Sequence, residues 1–596
     1  MTTERICRAW FPVFSRRYGQ SLRAFYPLLL ATFVTACNAA KPVVIDDTAY
    51  LLYARHIAQH PLDPYGFTIF WYTRPEPAFQ VLAPPVYLYW LAGGWQLFGD
   101  QIVWLKLWTW PWLILLAYGL RSLLRYWAAS AERWMLAVLM LSPAILPAVN
   151  LMLDVPAYAL GVSALALWCR VGCMERRWKA WLLTLVVGVL LGLAMQTKYT
   201  LLTFVPVLLL GRLSHQCWSR SAAATVTAVA IFLTWEGFCL ARYGNSHFWY
   251  HASSQTHSSL WELWQAKAAL TGPLLGYWGY FGAAIGLVSA LRLGISRRIV
   301  CWAAGLWLAG AWFASCVPER FLLLSDQLSF AVLFWRIAGG FWGLIIVLSL
   351  MSLAFPSAKE QVDKKLSRFL VWWWCTELVG YYLLTPFGAA RRLVGLTLVT
   401  HLAVARLCSR SGEVSRYLTQ PFRDPKLEHT DRDSHKPPTL LVAMSLLAGL
   451  VVAAVDGLDA QAEKWCVEQA AAILQELPEH TASRIWFAGH WGFQYYAQRQ
   501  GWEHIVPCSS RIRAGDYVVL PVPPEPTGFY RPHVGSIPIL LPEGKSETIA
   551  EVIWDDPIAA QTIPNYYGGT VALIGRNHPR LQVVVARLLC DWYAGG

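Results

Sequence analysis

The chain has 596 residues, 56% hydrophobic and 14% charged, with a net charge of +13. A soluble globular protein holds roughly 25% charged residues, so this composition, with a mean hydropathy of +0.39, excludes an ordinary soluble enzyme and points to a polytopic membrane protein. In such a protein the positive balance is a topology signal rather than a sign of nucleic-acid binding.

Residues 1–24 carry Arg5, Arg8, Arg16, Arg17 and Arg23, which hold the N-terminus in the cytoplasm. Cys37-Asn38-Ala39-Ala40 is a poor cleavage site, so no cleavable signal peptide is expected. The apolar segment 25–40 then runs outward and delivers Asp46 and Asp47, in Val43-Val44-Ile45-Asp46-Asp47-Thr48-Ala49-Tyr50, just outside the membrane. Ionised groups at a bilayer edge must stay wet, pair or bind something. The plain alternative for Asp46 is a helix N-cap. The outer loop 41–101 contains Pro84-Pro85-Val86-Tyr87-Leu88-Tyr89-Trp90-Leu91, expected as a helix lying in the interface.

Further spans are expected near 102–120, 133–151, 155–171, 179–196, 200–213, 221–240, 272–291, 299–316, 330–355, 369–385, 393–407 and 438–456, about thirteen with the first. This phase puts Arg176-Arg177-Trp178-Lys179, Arg292 with Arg297-Arg298, and Lys364-Lys365 inside. The charged segment 409–437 is then a cytoplasmic loop. After about residue 457 the composition turns less apolar and alternates helix-like with strand-like stretches. The expected architecture is therefore a helical transmembrane domain, 1–456, with an extracytoplasmic α/β domain, 457–596. Most of the 13 Cys lie in apolar segments and show no metal spacing; whether Cys466 and Cys508 are bridged is left open.

This topology gathers polar residues at the outer face. Asp46 and Asp47 are joined by Asp154, Lys198, Arg336, Arg391 and Arg392, with His247, His251, His257, Glu319 and Arg320 on the same side. Plain readings exist: Asp154 before Pro156 starts a helix, Lys198 snorkels, and the three His lack tight metal spacing. Paired Arg391-Arg392 on the outer side runs against the positive-inside rule. Arg is the natural fork for two phosphate oxygens. A transporter or lipid flippase is the alternative, but it should show internal repeats and charges near the midplane.

Four stretches in order resemble motifs of the GT-C membrane glycosyltransferases, which include protein O-mannosyltransferases and lipid A aminoarabinose transferases. They are Asp46-Asp47, Pro84-Pro85-Val86-Tyr87-Leu88-Tyr89-Trp90, Leu153-Asp154-Val155-Pro156, and Gly192-Leu193-Ala194-Met195-Gln196-Thr197-Lys198-Tyr199. Arg391-Arg392-Leu393 is similar to the Arg-bearing loop before a late span. The resemblance covers about residues 25–410. It implies a hexosyl- or pentosyltransferase that moves a sugar from a polyprenyl-phosphate donor to a hydroxyl of a lipid, glycan or protein acceptor, with inversion.

The resemblance also implies a bacterial inner membrane with the active site outward. Asp46 is the expected base, with Asp47 or Asp154 orienting the acceptor. Lys198, Arg336, Arg391 and Arg392 are expected at the donor phosphate, and Asp46 with Asp154 is the candidate place for a divalent cation. Two departures stand out: Ala83 replaces the Lys that precedes the first Pro in the aminoarabinose branch, and the acidic pair is Asp-Asp rather than Asp-Glu.

Overall fold

The computed structural model describes residues 24–71, 74–81, 84–172, 174–210, 218–253, 259–325, 328–355, 364–409, 439–477, 483–522, 541, 544–562, 565–576 and 579–594. The N-terminal arginines, Ala83, His257 and the loop 410–437 lie outside them, as do the side chains of Glu319 and Arg320.

The first helix, α1 (Ala24–Ala39), ends just before the acidic loop, and α2 (Asp47–Gln59) follows it. A short hairpin, Thr68–Phe70 against Pro75–Pro77, and a helix, Pro85–Phe98, complete the outer loop. Pro85 opens that helix in the first turn, where a missing N–H costs nothing.

Residues 102–140 turn back on themselves. Arg121 and Arg125 both hold Glu132, at 2.5 and 2.9 Å. The start of α1 meets both limbs, because Tyr118 donates to the Ala24 carbonyl and Tyr26 to the Arg133 carbonyl.

The expected span at 133–151 needs correction: its helix is Glu132–Met140, 9 residues. Pro143 and Pro147 stop the helix, and residues 141–153 run as irregular but buried backbone. Such backbone is tolerated inside a membrane protein only when other groups satisfy it. Asn38 donates to the Leu146 carbonyl, Lys41 to that of Pro147, and Tyr566 to that of Pro143.

Then come α3 (Asp154–Val171), the helix Arg177–Met195 and α4 (Trp218–Tyr243). The pair Leu260–Phe281 and Ala283–Arg292 is bent by 73°. Beyond Arg297–Cys316 and Phe330–Ala354 lies α5 (Lys364–Leu384). A 3-10 turn, Ala390–Leu393, carries the paired arginines into Val394–Cys408, a helix buried on every side.

Among the described residues six helices are long and apolar enough to cross a membrane, or seven if the bent pair is one span. The expected count of about thirteen is not reached by this measure. A straight crossing takes about 20 residues, whereas Val394–Cys408 has 15. Large apolar side chains such as Trp302, Leu306, Ile337 and Leu344 face outward from these helices, as they should against lipid tails. The protein is a helical, multi-pass membrane protein.

The last membrane-type helix, α6 (Thr439–Gln475), is 37 residues long and runs unbroken through position 457. A five-stranded sheet follows, built from β1 (Ile485–Phe487), β2 (Glu503–His504), β3 (Tyr517–Pro521), β4 (Ser546–Trp554) and β5 (Leu581–Leu588), in the order β2-β1-β3-β5-β4. β1 pairs parallel with β2 and β3, and β5 pairs antiparallel with β3 and β4. Helix α7 (Trp491–Arg499) follows β1 and packs on α6 and α2. Cys466 and Cys508 are not bridged to each other; the first is buried and the second exposed.

A candidate active site at the acidic loop

The two adjacent aspartates have opposite surroundings. Ile45 sits at φ +45°, a conformation that costs a β-branched residue about 1–3 kcal/mol. This kink sends the next two side chains to different places.

Asp47 turns inward and its side chain is fully buried. It accepts from Leu151 N at 2.9 Å and Val44 N at 3.3 Å, and Lys106 stands 3.6 Å away. Lys106 in turn donates to the Pro42 carbonyl at 2.9 Å. Burial pushes the Asp47 carboxyl up to about 6 against the pull of Lys106 and Lys41. With its oxygens so engaged, Asp47 ties the loop to residue 151 rather than facing a substrate.

Asp46 keeps its side chain 16% exposed and forms an ion pair with Arg391. It stands at the N-cap of α2 but makes no side-chain cap hydrogen bond, so the capping alternative does not describe it. Asp154, the first residue of α3, forms a second ion pair with Lys198. Burial pushes the Lys198 ammonium down to about 8 while Asp154 pulls it back up.

The two pairs are neighbours, because Arg391 feels the charges of both Asp46 and Asp154. Arg392 joins them in the same field, with its guanidinium 5.2 Å over the Phe387 ring. Three cations, Lys198, Arg391 and Arg392, thus face two carboxylates. The Nε atoms of Arg391 and Arg392 are buried without a hydrogen-bond partner. A buried surplus of cationic donors is chemically a place for an anion.

The structure does not draw every expected residue into this group. Arg336 packs its guanidinium on Gly272, and its buried Nε lacks a partner; no ion pair or hydrogen bond among the described residues joins it to Asp46 or Asp154. His247 and His251 meet edge-on, with ring centroids 4.5 Å apart and planes at 62°, and His247 bonds the Tyr199 hydroxyl at 2.6 Å. Among the described residues no three His, Cys, Asp or Glu form a metal-holding group. The two carboxylates expected at a cation, Asp46 and Asp154, are paired with Arg391 and Lys198.

Several contributors escape the sequence reading. Lys106 is a lone charge in an apolar run, and Glu377 lies buried in α5, accepting from Trp373 at 3.1 Å and Thr203 at 3.4 Å. A lone ionisable residue inside an apolar segment is itself a signal, and it could have singled out both.

The C-terminal sheet region contacts the acidic loop as well. Val43 N donates to Tyr496 Oη at 3.0 Å, and Thr48 Oγ1 donates to the Trp491 carbonyl at 2.6 Å. Trp491 is itself at φ +61°. Gly492 touches the Val43 carbonyl and Glu463 where a Cβ would collide. Behind them Asp456 of α6 holds Lys41 at 2.6 Å and Tyr567 at 2.9 Å, while Tyr567 receives Asn150 at 2.8 Å. The acidic loop is therefore gripped on both flanks of Asp46.

Tyr496→Phe removes one grip and little volume. If the loop carries the transfer chemistry that the sequence resemblance implies, turnover is expected to fall about tenfold, since small misplacements near the chemistry are costly, with donor affinity unchanged. Steady-state kinetics beside a direct donor-binding measurement check this, and equal loss in both would contradict it.

No family model matches the chain, and no curated protein matches it. Among solved structures it is similar to the archaeal oligosaccharyltransferase AglB of Archaeoglobus fulgidus in complex with an inhibitory peptide and a dolichol-phosphate. That match has 11% identity over 84% of this chain and 70% of that one, with a TM-score of 0.41. The Archaeoglobus fulgidus oligosaccharyltransferase tethered with an acceptor peptide matches at 11% identity, 81% and 64% coverage, and a TM-score of 0.43. ArnT from Cupriavidus metallidurans in the apo state matches at 15% identity, 84% and 93% coverage, and a TM-score of 0.38. AglB and ArnT are both GT-C superfamily membrane glycosyltransferases, the superfamily the motifs resemble. At TM-scores below 0.5 these likenesses carry no function to this chain.

Proposed function

We propose that the protein is a membrane glycosyltransferase that moves a sugar from a polyprenyl-phosphate donor to an acceptor hydroxyl on the extracytoplasmic side, with inversion. The observation that carries this reading is the paired group itself: Asp46–Arg391 beside Asp154–Lys198, with Arg392 in surplus. It offers one partly exposed carboxylate and a cluster of cations at the end of apolar helices. That combination suits a phosphate whose lipid tail lies in the bilayer.

The chemistry follows from the arrangement. In the resting pair Arg391 holds Asp46. An arriving donor phosphate competes for Arg391 and for the free donors of Arg392, which releases the Asp46 carboxylate. Asp46 then takes the proton of the acceptor hydroxyl. The acceptor oxygen bonds the anomeric carbon as the bond from that carbon to the phosphate oxygen breaks, and the electron pair stays on the phosphate. Lys198, Arg391 and Arg392 stabilise the charge that develops there. A single displacement of this kind inverts the anomeric centre. Asp154 keeps Lys198 in place.

The test is transfer by purified protein, offered a panel of polyprenyl-phosphate sugars with a membrane lipid extract as acceptor source. Release of free polyprenyl phosphate together with a new glycoconjugate is the expected result. Intact donor throughout, combined with movement of the lipid-linked sugar across a proteoliposome bilayer, would replace this reading with a flippase.

A further inference from the structure

Away from the acidic loop lies a concavity of different chemistry. A cavity of about 530 Å3 opens between the turn at residues 63–66, the strip 77–80 and the corner 242–250. Its size falls in the range of small-molecule sites, on the order of 300–1,000 Å3. Its lining mixes aromatic rings, Tyr65, Phe79 and Tyr250, with hydrogen-bonding groups, Asp63, Arg242 and Asn245.

The aromatic wall is already assembled. Tyr65 stacks on His247 with centroids 4.9 Å apart and planes at 10°, and it meets Phe79 edge-on at 5.7 Å. Tyr250 meets Phe79 at 5.8 Å. Rings fixed by one another lose little freedom when a ligand lies against them.

The polar side is equally fixed. Tyr243 donates to Asp63 at 2.8 Å and accepts from Tyr65 N at 3.2 Å, and Arg242 pairs with Asp63 at 3.1 Å. Burial alone would raise the Asp63 carboxyl, but Tyr243 and Arg242 together hold it below the usual range. Asp63 is therefore an ionised acceptor, and the charge of Arg242 is already balanced.

This lining selects a ligand class. A lipid tail needs an apolar wall without an ion pair, and an anion needs an uncommitted cation. A neutral molecule with many hydroxyls and a flat C–H face fits both halves, with hydroxyls to Asp63 and Asn245 and its face to the rings. The place fits as well. His247, stacked under Tyr65, bonds the hydroxyl of Tyr199, the residue after Lys198, so a run of side-chain contacts leads from the cavity wall to the segment that carries Lys198.

We propose that this cavity is a saccharide-binding subsite that holds the glycan portion of the acceptor. The assignment rests on the glycosyltransferase reading for the word acceptor, and on the cavity alone for the word saccharide.

The test uses the full chain in lipid nanodiscs, because maltoside detergents would bring their own sugar. Ligand-observed saturation-transfer NMR is run with three neutral disaccharides, a mannobiose, diacetylchitobiose and lactose, and separately with a polyprenyl-phosphate sugar. We expect at least one disaccharide to bind. Tyr250→Ala and Asn245→Ala, both at half-buried positions, should each weaken it about tenfold, the scale of losing one anchoring contact.

Binding of no disaccharide, or equal binding in Tyr250→Ala and Asn245→Ala, overturns the subsite. Binding of the lipid-linked sugar alone at this cavity assigns it to the donor and overturns the acceptor role. Intact disaccharide binding in a protein that transfers no sugar leaves the subsite standing and removes only the glycosyltransferase reading.

Discussion

Asp46→Asn lowers sugar transfer by about 10²–10⁴, the usual share of a general base, while donor affinity stays within a few-fold of the parent. Asparagine keeps the shape and can still accept a hydrogen bond from Arg391, but it cannot take the acceptor's proton. The measurement is kcat beside a separate donor-binding isotherm. A structural role for Asp46 predicts a different result, since Asn caps a helix about as well as Asp and the variant would then be nearly silent. The uncapped geometry of α2 already weighs against that role. Full activity in Asp46→Asn would remove the base assignment, and Asp47 is a poor heir because its oxygens are committed to Leu151, Val44 and Lys106.

Arg391→Ala should cost both affinity and turnover. The guanidinium would hold phosphate charge in the ground state and in the transition state, so donor Kd rises by about tenfold or more, as for a lost charge-assisted hydrogen bond, and kcat falls as well. Stability falls too. Arg391 is nine-tenths buried against Asp46, and removing one partner of a buried pair costs about 3–5 kcal/mol. A thermal melt alone therefore cannot decide the role. The double variant Asp46→Asn with Arg391→Ala leaves less uncompensated charge and should recover part of the Tm. Its donor affinity should stay as low as that of Arg391→Ala. Donor affinity restored with the Tm would make Arg391 merely the counter-ion of Asp46.

The charges of this site were readable because they interrupt apolar stretches. Asp154, Lys198 and the pair Arg391-Arg392 each stand at a break between membrane-type segments, and a charge there asks for a reason. Their pairing was not readable, because Asp46 meets Arg391 across 345 positions and no local pattern encodes that. Nor could the sequence separate Asp46 from Asp47. Their difference arises from a left-handed Ile45, a conformation that residue type argues against. The segment 141–153 shows another failure. It covers most of the second half of the expected span 133–151, and its apolar content reads as membrane-spanning, while Pro143 and Pro147 break the helix. The apolar character of the last helix was clear, but its continuation past position 457 was hidden by the change in composition there.

The grip on the acidic loop also sets an order of events during biosynthesis. Val43 waits for Tyr496, and Thr48 for Trp491, partners 453 and 443 residues later in the chain. Asp46 leaves the ribosome among the first segments, yet its surroundings are incomplete until α7 has been made and has reached the same side of the membrane. A nascent or truncated chain that stops after the last membrane helix would carry every charged residue of the site and both ion pairs, but not the two contacts that hold Val43 and Thr48. On the glycosyltransferase reading, a chain that ends before α7 is expected to transfer sugar poorly, because the loop that carries Asp46 then lacks Tyr496 and Trp491 on its flanks.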